Sequence, residues 1–211
     1  MTPAATRIVD AAFRLFEEHG YDATSVDQIA EQAGVSRSTF FRHYGSKESV
    51  IFPDHDALLG AVEERLGAST ERSAIAAVSD AVRLVLFHYV AEGERARQRY
   101  RLTSTVVALR ERELVSGARY QRLFRRYISD WGDKTEASET RAELMAAAVV
   151  AAHNRVLRRW LRGECSEPQV EIDEALATVH DYFAVSGEPR AVVVVRTDAD
   201  LAAVASYLKQ L

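Results

Sequence analysis

The sequence is poor in the residues that mark secreted, disulfide-bonded or membrane proteins. One cysteine, Cys165, among 211 residues excludes an internal disulfide framework and is typical of a reducing compartment. The first thirty residues lack the basic start, apolar run and small-residue cleavage site of an export signal. No uninterrupted apolar run approaches the roughly 18 residues of a membrane span. These absences predict a cytoplasmic protein without a membrane segment.

The chain also lacks an excess of positive charge. It has 31 acidic and 27 basic residues, which gives a net charge of −4. A domain that binds nucleic acid is expected to carry a basic face. Phosphate contacts depend on local potential, however, so an acidic chain can still hold a basic surface. The hydrophobic content of 47% is enough for one or two folded domains.

Helical spacing of apolar residues dominates the chain and predicts an all-α fold. Ile8, Ala12, Leu15 and Phe16 lie on one face of a helix over 4–19, which ends at Gly20. Further helices are predicted over 46–66, 71–91, 94–131, 138–162 and 169–185, with breaks at Pro53, near Thr103–Thr105 and at Gly117.

The last segment departs from this pattern. The β-branched run Ala191–Val195 favours a strand, although no partner strand is evident, and a helix is predicted over 198–209. The role of Val192–Val195 stays open between covering a pocket and extending a dimer interface.

Residues 25–43 have the spacing of a helix-turn-helix. Ser25 and Gln28 form a predicted capping box at the start of one helix, and Gly34 ends that helix. Ser36 then caps a short helix that runs to about His43. The second helix of such a motif enters the major groove, where its N-terminal residues meet base edges.

The segment Ser36–Lys47 has a composition suited to that task. It contains three basic residues, one histidine, several hydroxyl groups and no acidic residue. Hydroxyls and cations at a helix start can contact phosphates and base edges without filling the groove. The local composition is therefore basic, although the whole chain is acidic.

The run Ile8–Val50 resembles the DNA-binding domain of TetR-family transcriptional regulators. The matching features are Gly20-Tyr21, Thr24-Ser25, Ile29-Ala30, Ala33-Gly34-Val35-Ser36, Thr39–Tyr44 and Ser46-Lys47-Glu48. The resemblance implies a three-helix DNA-binding domain over residues 1–48. It also implies a helical domain over 49–211 that binds a small ligand and forms the homodimer.

We therefore predict a sequence-specific regulator that binds double-stranded operator DNA. The favoured mode is a repressor that is released from a palindromic operator by a hydrophobic or acyl-thioester effector. A ligand-responsive activator is the first alternative. A helical protein that binds small molecules but not DNA is the second.

The resemblance also assigns roles to single residues. Arg37 is expected to grip a guanine with two hydrogen bonds. Phe41 stands where the family commonly has tyrosine, so it lacks a hydroxyl for phosphate and is expected to touch a thymine methyl. The full predicted DNA-contacting set is Thr24, Ser25, Ser36, Arg37, Ser38, Thr39, Phe41, Arg42, His43 and Lys47.

Polar side chains on otherwise apolar helices indicate a ligand pocket in the second domain. The candidates are His88, Tyr89, Trp131, His153 and Asn154. Core or interface hydrogen bonds explain the pattern of the four polar residues equally well, and for Trp131 a place in the core is favoured over the cavity wall. Residues 94–126 hold ten arginines and three glutamates, which suit either an anionic ligand or, as we favour, solvated helix faces.

Other chemistry has no support in the sequence. No nucleophile–base pattern, phosphate loop or metal-ligand spacing is present, so no catalytic residue, cofactor or metal site is predicted. Asp54-His55-Asp56 are adjacent on a predicted helix and point in different directions. The small-residue run Ala146–Ala152, together with the helix over 169–185, predicts a four-helix dimer interface; burial within one subunit is the alternative.

Overall fold

The computed structural model of the protein describes residues 2–52, 55–69 and 73–184. Over these residues the chain forms helices and no strand, which confirms the all-α prediction. The helices are α1 Pro3–His19, α2 Val26–Gln32, α3 Arg37–His43, α4 Lys47–Ile51, α5 His55–Gly67, α6 Ala74–Glu92, α7 Glu94–Thr105, α8 Val107–Asp130, α9 Glu136–Leu161 and α10 Pro168–Ala184.

Helices α1–α4 surround one small hydrophobic core. The apolar face of α1 is buried against α2 and α4, and Phe40 of α3 is fully buried. Leu109 of α8 is also fully buried in this core. The core extends past the predicted boundary at residue 48, because Val50 and Ile51 of α4 belong to it. The boundary itself stays a prediction.

Helices α5–α10 enclose a larger core, with α6 at its centre. Among the described helices, α6 is the one that is long and apolar enough to cross a membrane by length and composition. It packs against α5, α7, α8, α9 and α10. Val78, Ala81 and Leu86 are fully buried there. The apolar character of α6 therefore corresponds to its place in a protein core.

The break predicted near Thr103–Thr105 is confirmed, because α7 ends at Thr105 and α8 begins at Val107. The break predicted at Gly117 is wrong, since α8 continues through it. A glycine costs a helix interior only about 1 kcal/mol, which the packing of a 24-residue helix exceeds. Pro53 and the predicted strand and helix of the last segment lie outside the described residues.

Candidate nucleic-acid interface and cavity

Local hydrogen bonds set the turn between α2 and α3. Ser25 accepts from the backbone N–H of Gln28, and the Gln28 side chain accepts in return from the Ser25 N–H, which completes the predicted capping box. At the other end of α2, Val35 N donates to Ala30 O and Gly34 N donates to Glu31 O, each at 3.0 Å. This pattern is a Schellman motif. It requires the positive φ of Gly34, which is +62°.

Helix α3 is anchored on one side and exposed on the other. Phe40 is fully buried, while Arg37, Ser38 and Arg42 are exposed. Ser36 caps the helix by accepting from Thr39 N at 3.1 Å. The exposed members of the predicted DNA-contacting set are Ser25, Ser36, Arg37, Ser38, Phe41 and Arg42, and Thr39, His43 and Lys47 are partly buried.

Arg37 does not extend freely into solvent. Its Nη1 donates to both carboxylate oxygens of Asp27 in α2, at 2.5 and 2.6 Å. Its guanidinium carbon also lies 5.4 Å from the centre of the Phe41 ring, within cation–π range. The sequence did not single out Asp27 as a partner of Arg37, because it lies ten residues earlier, in the first turn of α2 and outside Ser36–Lys47.

Two members of the predicted set use their polar atoms inside the domain. Thr24 is buried and its hydroxyl donates to the Gly20 carbonyl at 2.8 Å. The Lys47 ammonium donates to the carbonyls of Tyr21 and Thr24, at 2.8 and 3.1 Å, and lies over the Tyr21 ring. Neither polar group is presented to solvent in the way that Arg37 and Arg42 are.

A cavity of about 530 Å³ lies between α6, α7, α8 and α9. Its wall is mainly apolar and aromatic. Of the five predicted pocket residues, Tyr89, His153 and Asn154 line it. His88 lies outside the lining and approaches Glu92 at 3.8 Å, because it is on a different face of α6 from Tyr89. Trp131 also lies outside it, half-exposed at the end of α8 beside Tyr127.

The cavity contains polar groups that the sequence did not reveal. Tyr100, Tyr120, Arg110, Glu113 and Arg158 also belong to the lining. Burial raises the pKa of Tyr89 to about 12 and also raises that of Tyr120, so both phenols are neutral at pH 7. Tyr89, Tyr100 and Tyr120 lie on three different helices, so their spacing in the sequence carried no periodic signal of a shared cavity.

His153 is the most deeply buried titratable group of the lining. It is 6% exposed, and its Nδ1 lies 3.2 Å from Asn154 Oδ1. Burial lowers the pKa of His153 to about 4, and the positive charge of Arg158 acts in the same direction. The imidazole is therefore uncharged at neutral pH.

Most arginines of residues 94–126 form ion pairs. Seven of the ten pair with carboxylates, namely Arg95, Arg97, Arg99, Arg101, Arg119, Arg125 and Arg126. Several of the partners lie on other helices, such as Asp10 of α1 and Glu63 of α5. These arginines therefore connect neighbouring helices through ion pairs. Of the ten arginines, Arg110 is the one that lines the cavity.

Arg99 joins the two cores. It is 6% exposed, and its Nε donates to the carbonyl of Ile51, the last residue of α4, at 2.6 Å. Its two terminal nitrogens donate to both carboxylate oxygens of Glu92 at the end of α6, at 2.6 and 3.0 Å. The guanidinium also lies 5.8 Å from the ring of Tyr89, which lines the cavity. A short line of contacts thus runs from the cavity to α4.

Within the described residues, no group of three or more His, Cys, Asp or Glu side chains is arranged to hold a metal ion. Asp56, from the acidic–histidine cluster near the start of α5, instead pairs with Arg119 at 2.5 Å.

Comparison with known proteins agrees with this helix-turn-helix geometry. A family model described as "Bacterial regulatory proteins, tetR family" matches residues 8–62. The N-terminal part of the chain therefore carries a DNA-binding domain of the TetR-family type. The chain is 29% identical over 181 residues to a putative mycofactocin biosynthesis transcriptional regulator of Mycobacterium tuberculosis, an alignment that covers 82% of this chain and 86% of that protein.

Other relatives match over shorter stretches. The fatty acid metabolism regulator protein of Bacillus subtilis is 34% identical over 70 residues, which are 33% of this chain and 32% of the relative.

Solved structures share the fold of this chain. SmeT in its triclosan complex has a TM-score of 0.62 at 18% identity and covers 93% of this chain and 100% of its own. Thermus thermophilus FadR in complex with lauroyl-CoA has a TM-score of 0.54 at 19% identity, with 92% and 100% coverage.

Proposed function

We propose that the protein is a homodimeric repressor in the cytoplasm. It binds a palindromic operator through α3 and releases it when a small, mainly apolar effector occupies the cavity. The observation that carries this proposal is the exposed face of α3, where Arg37, Ser38 and Arg42 project from a helix fixed by buried Phe40. The charge of this face is local, so the net charge of −4 does not oppose binding.

Within this proposal, each exposed side chain has a role. Arg37 reads a guanine, and Phe41 contacts a thymine methyl beside it. Arg42 and His43 contact phosphates. Four hydroxyl side chains do the same, namely those of Ser25, Ser36, Ser38 and Thr39. Thr24 and Lys47 hold the loop after α1 in place and so support the interface from inside.

The outward faces of α9 and α10 support a dimer interface. Leu144, Ala147 and Ala151 follow helical spacing on the side of α9 that faces away from its own core. Leu144 is 57% exposed, and Val170 and Tyr182 of α10 are 53% and 75% exposed. A two-fold pair of these faces buries the apolar surface and presents two α3 helices to the DNA. Palindromic recognition requires these helices to lie about 34–36 Å apart.

The cavity supports an effector role for the second domain. FadR of Thermus thermophilus was solved with lauroyl-CoA and SmeT with triclosan, and both have this fold. The apolar wall fits a hydrophobic body, and Arg110 and Arg158 are cations of the lining available to the acyl-thioester variant of this proposal. Arg99 links this wall to α4, so an effector that favours one arrangement of α6 and α7 shifts the DNA-binding domain.

Operator selection with the purified full-length protein tests the DNA-binding part. A palindromic site is expected, and its affinity should fall steeply with salt. Arg37→Ala should weaken operator binding by about 1–3 kcal/mol and relax specificity at one position of each half-site. Arg42→Ala is the matched control, since loss of a phosphate contact weakens all sequences alike. Selection without a palindrome would contradict the proposal and favour a ligand-binding protein that does not bind DNA.

A reporter gene under the selected operator separates repression from activation. Loss of the regulator should raise expression if it is a repressor. A fall in expression would support the activator instead.

A further inference from the structure

The cavity wall contains a buried nitrogen that lacks a partner. Nε2 of His153 is buried and has no hydrogen-bond partner among the described residues. The residue is 6% exposed and lies in the middle of α9, in the lining of the cavity. Buried polar atoms are nearly always satisfied in folded proteins, so an exception in a cavity wall points to a ligand.

The neighbour of His153 fixes what Nε2 can do. The side-chain oxygen of Asn154 can only accept, so Nδ1, at 3.2 Å from it, carries the proton of the neutral ring. Nε2 then has a lone pair and no hydrogen. Nε2 is therefore a hydrogen-bond acceptor, and its partner must be a donor.

The surroundings determine the kind of donor. Val85, Phe124 and Leu157 provide apolar wall in the same cavity. Arg158 and Arg110 also line it, and their positive charges disfavour a cationic ligand next to His153. A carboxylate has no proton to donate to the Nε2 lone pair. What remains is a neutral hydroxyl or N–H group on an apolar body.

We propose that the effector of this protein is a mainly apolar molecule that carries one neutral hydrogen-bond donor, a hydroxyl or an amide N–H, and that it donates this hydrogen bond to His153 Nε2. The inference rests on the proposed function in one respect, since it takes the cavity as the effector site. It adds the chemical group that the site selects.

A matched pair of probes tests the acceptor directly. Para-phenylphenol has an apolar body and a hydroxyl donor, and para-methoxybiphenyl has the same body with an acceptor alone. Calorimetric titration of the full-length protein at pH 7.5 should show that the phenol binds at least about tenfold more tightly, as expected for one buried hydrogen bond.

Two variants assign this preference to His153. His153→Phe should bring the two affinities to within about twofold, because no acceptor remains. His153→Gln keeps a side-chain oxygen that can accept and should retain most of the preference. Val150→Ala, in the same wall of α9, is the control for a change in cavity shape and should leave the preference intact.

The tautomer can be measured without any ligand. Two-bond proton–nitrogen NMR correlations should identify Nε2 of His153 as the unprotonated nitrogen at neutral pH. A protonated Nε2, equal affinity for the two probes, or failure of both to bind would overturn the inference.

Operator binding is measured in a separate experiment, so the two failures are distinguishable. Selection of a palindrome without any probe preference refutes the donor inference and leaves the proposed DNA-binding function standing. A probe preference without a selected operator does the reverse.

Discussion

Arg37, the residue expected to read the operator, already contacts other side chains in the free protein. Its guanidinium lies against the Asp27 carboxylate and the Phe41 ring. Both members of the ion pair are more than 60% exposed, so the pair contributes little to stability. In the proposed complex the pair matters for binding, because Arg37 must exchange Asp27 for a base edge as α3 enters the groove.

Asp27→Asn tests this exchange. The substitution removes a negative charge near the DNA and frees Arg37, so affinity for operator and unrelated DNA should both rise, roughly threefold to tenfold at low salt. The free energy of unfolding should change by less than about 1 kcal/mol. Fluorescence anisotropy with labelled duplexes and urea unfolding provide the two measurements.

Asp22→Asn is the control, because it removes the same charge from an exposed residue outside α2 and α3. A fall in operator affinity in Asp27→Asn alone would mean that Asp27 positions Arg37 for binding and does not compete with the DNA.

His153 should make the protein sensitive to mild acid. The pKa of His153 is about 4 in the folded protein and 6.5 in the ordinary state, so the unfolded chain binds the proton more readily. Stability is therefore lost as the pH falls from 6.5 towards 4. Between pH 7 and pH 5 the loss should be about 2 kcal/mol. His153→Phe should lose correspondingly less over this interval in urea titrations.

His19→Gln changes an exposed histidine at the end of α1 and should keep the acid sensitivity of the original protein. Parallel pH profiles for the His153→Phe variant and the unchanged protein would show that His153 is not the group responsible.

At the scale of elements, local signals predicted the DNA-binding helices well. Ser25 and Ser36 cap helices as predicted, because a cap hydrogen bond joins residues that are three apart in the chain. The Gly34 turn is local in the same sense. The fold class and the helices of the candidate DNA interface could therefore be read from the sequence, while the contacts of single residues with DNA stay a prediction.

Features that depend on distant contacts could not be predicted. Lys47 resembles any exposed cation in the sequence, yet its ammonium bonds to carbonyls 23 and 26 residues away. Trp131 lies outside the cavity and Tyr120 lies in its wall, although both are aromatic residues of the same region. Arg99 looks like its neighbouring arginines, and only its burial distinguishes it.

Arg99→Met should reveal the importance of the junction between α4, α6 and α7. It removes the partner of the Ile51 carbonyl and the main partner of Glu92. Loss of one member of a buried ion pair costs about 3–5 kcal/mol, and the low end of this range is expected because Glu92 is partly exposed. Arg101→Met is the matched control on α7. Arg101 also bonds to two glutamates but is 56% exposed, so its loss should cost less than about 1 kcal/mol.

Chemical denaturation of both variants measures the difference. Equal costs for Arg99→Met and Arg101→Met would contradict the assignment of Arg99 as the buried link between the two cores.

At the scale of the whole molecule, dimerisation should depend on the outward face of α9. Leu144→Arg places a charge in the centre of the proposed two-fold interface and should weaken the dimer at least tenfold, with loss of tight binding to the palindrome. Val107→Arg alters an equally exposed apolar residue of α8 and should leave the dimer intact. Sedimentation velocity over a concentration series distinguishes the two outcomes. An unchanged dimer in Leu144→Arg would place the interface elsewhere.

The burial of Leu109 in the N-terminal core has a practical consequence for protein engineering. Chimeric regulators are made by joining the DNA-binding domain of one protein to the sensing domain of another. A junction at residue 48 or 52 would remove Leu109 from a core in which it is fully buried. It would also remove Leu102 and Val106, which pack against the same core. A transplanted recognition domain from this protein would therefore need compatible side chains at these three positions of its new host.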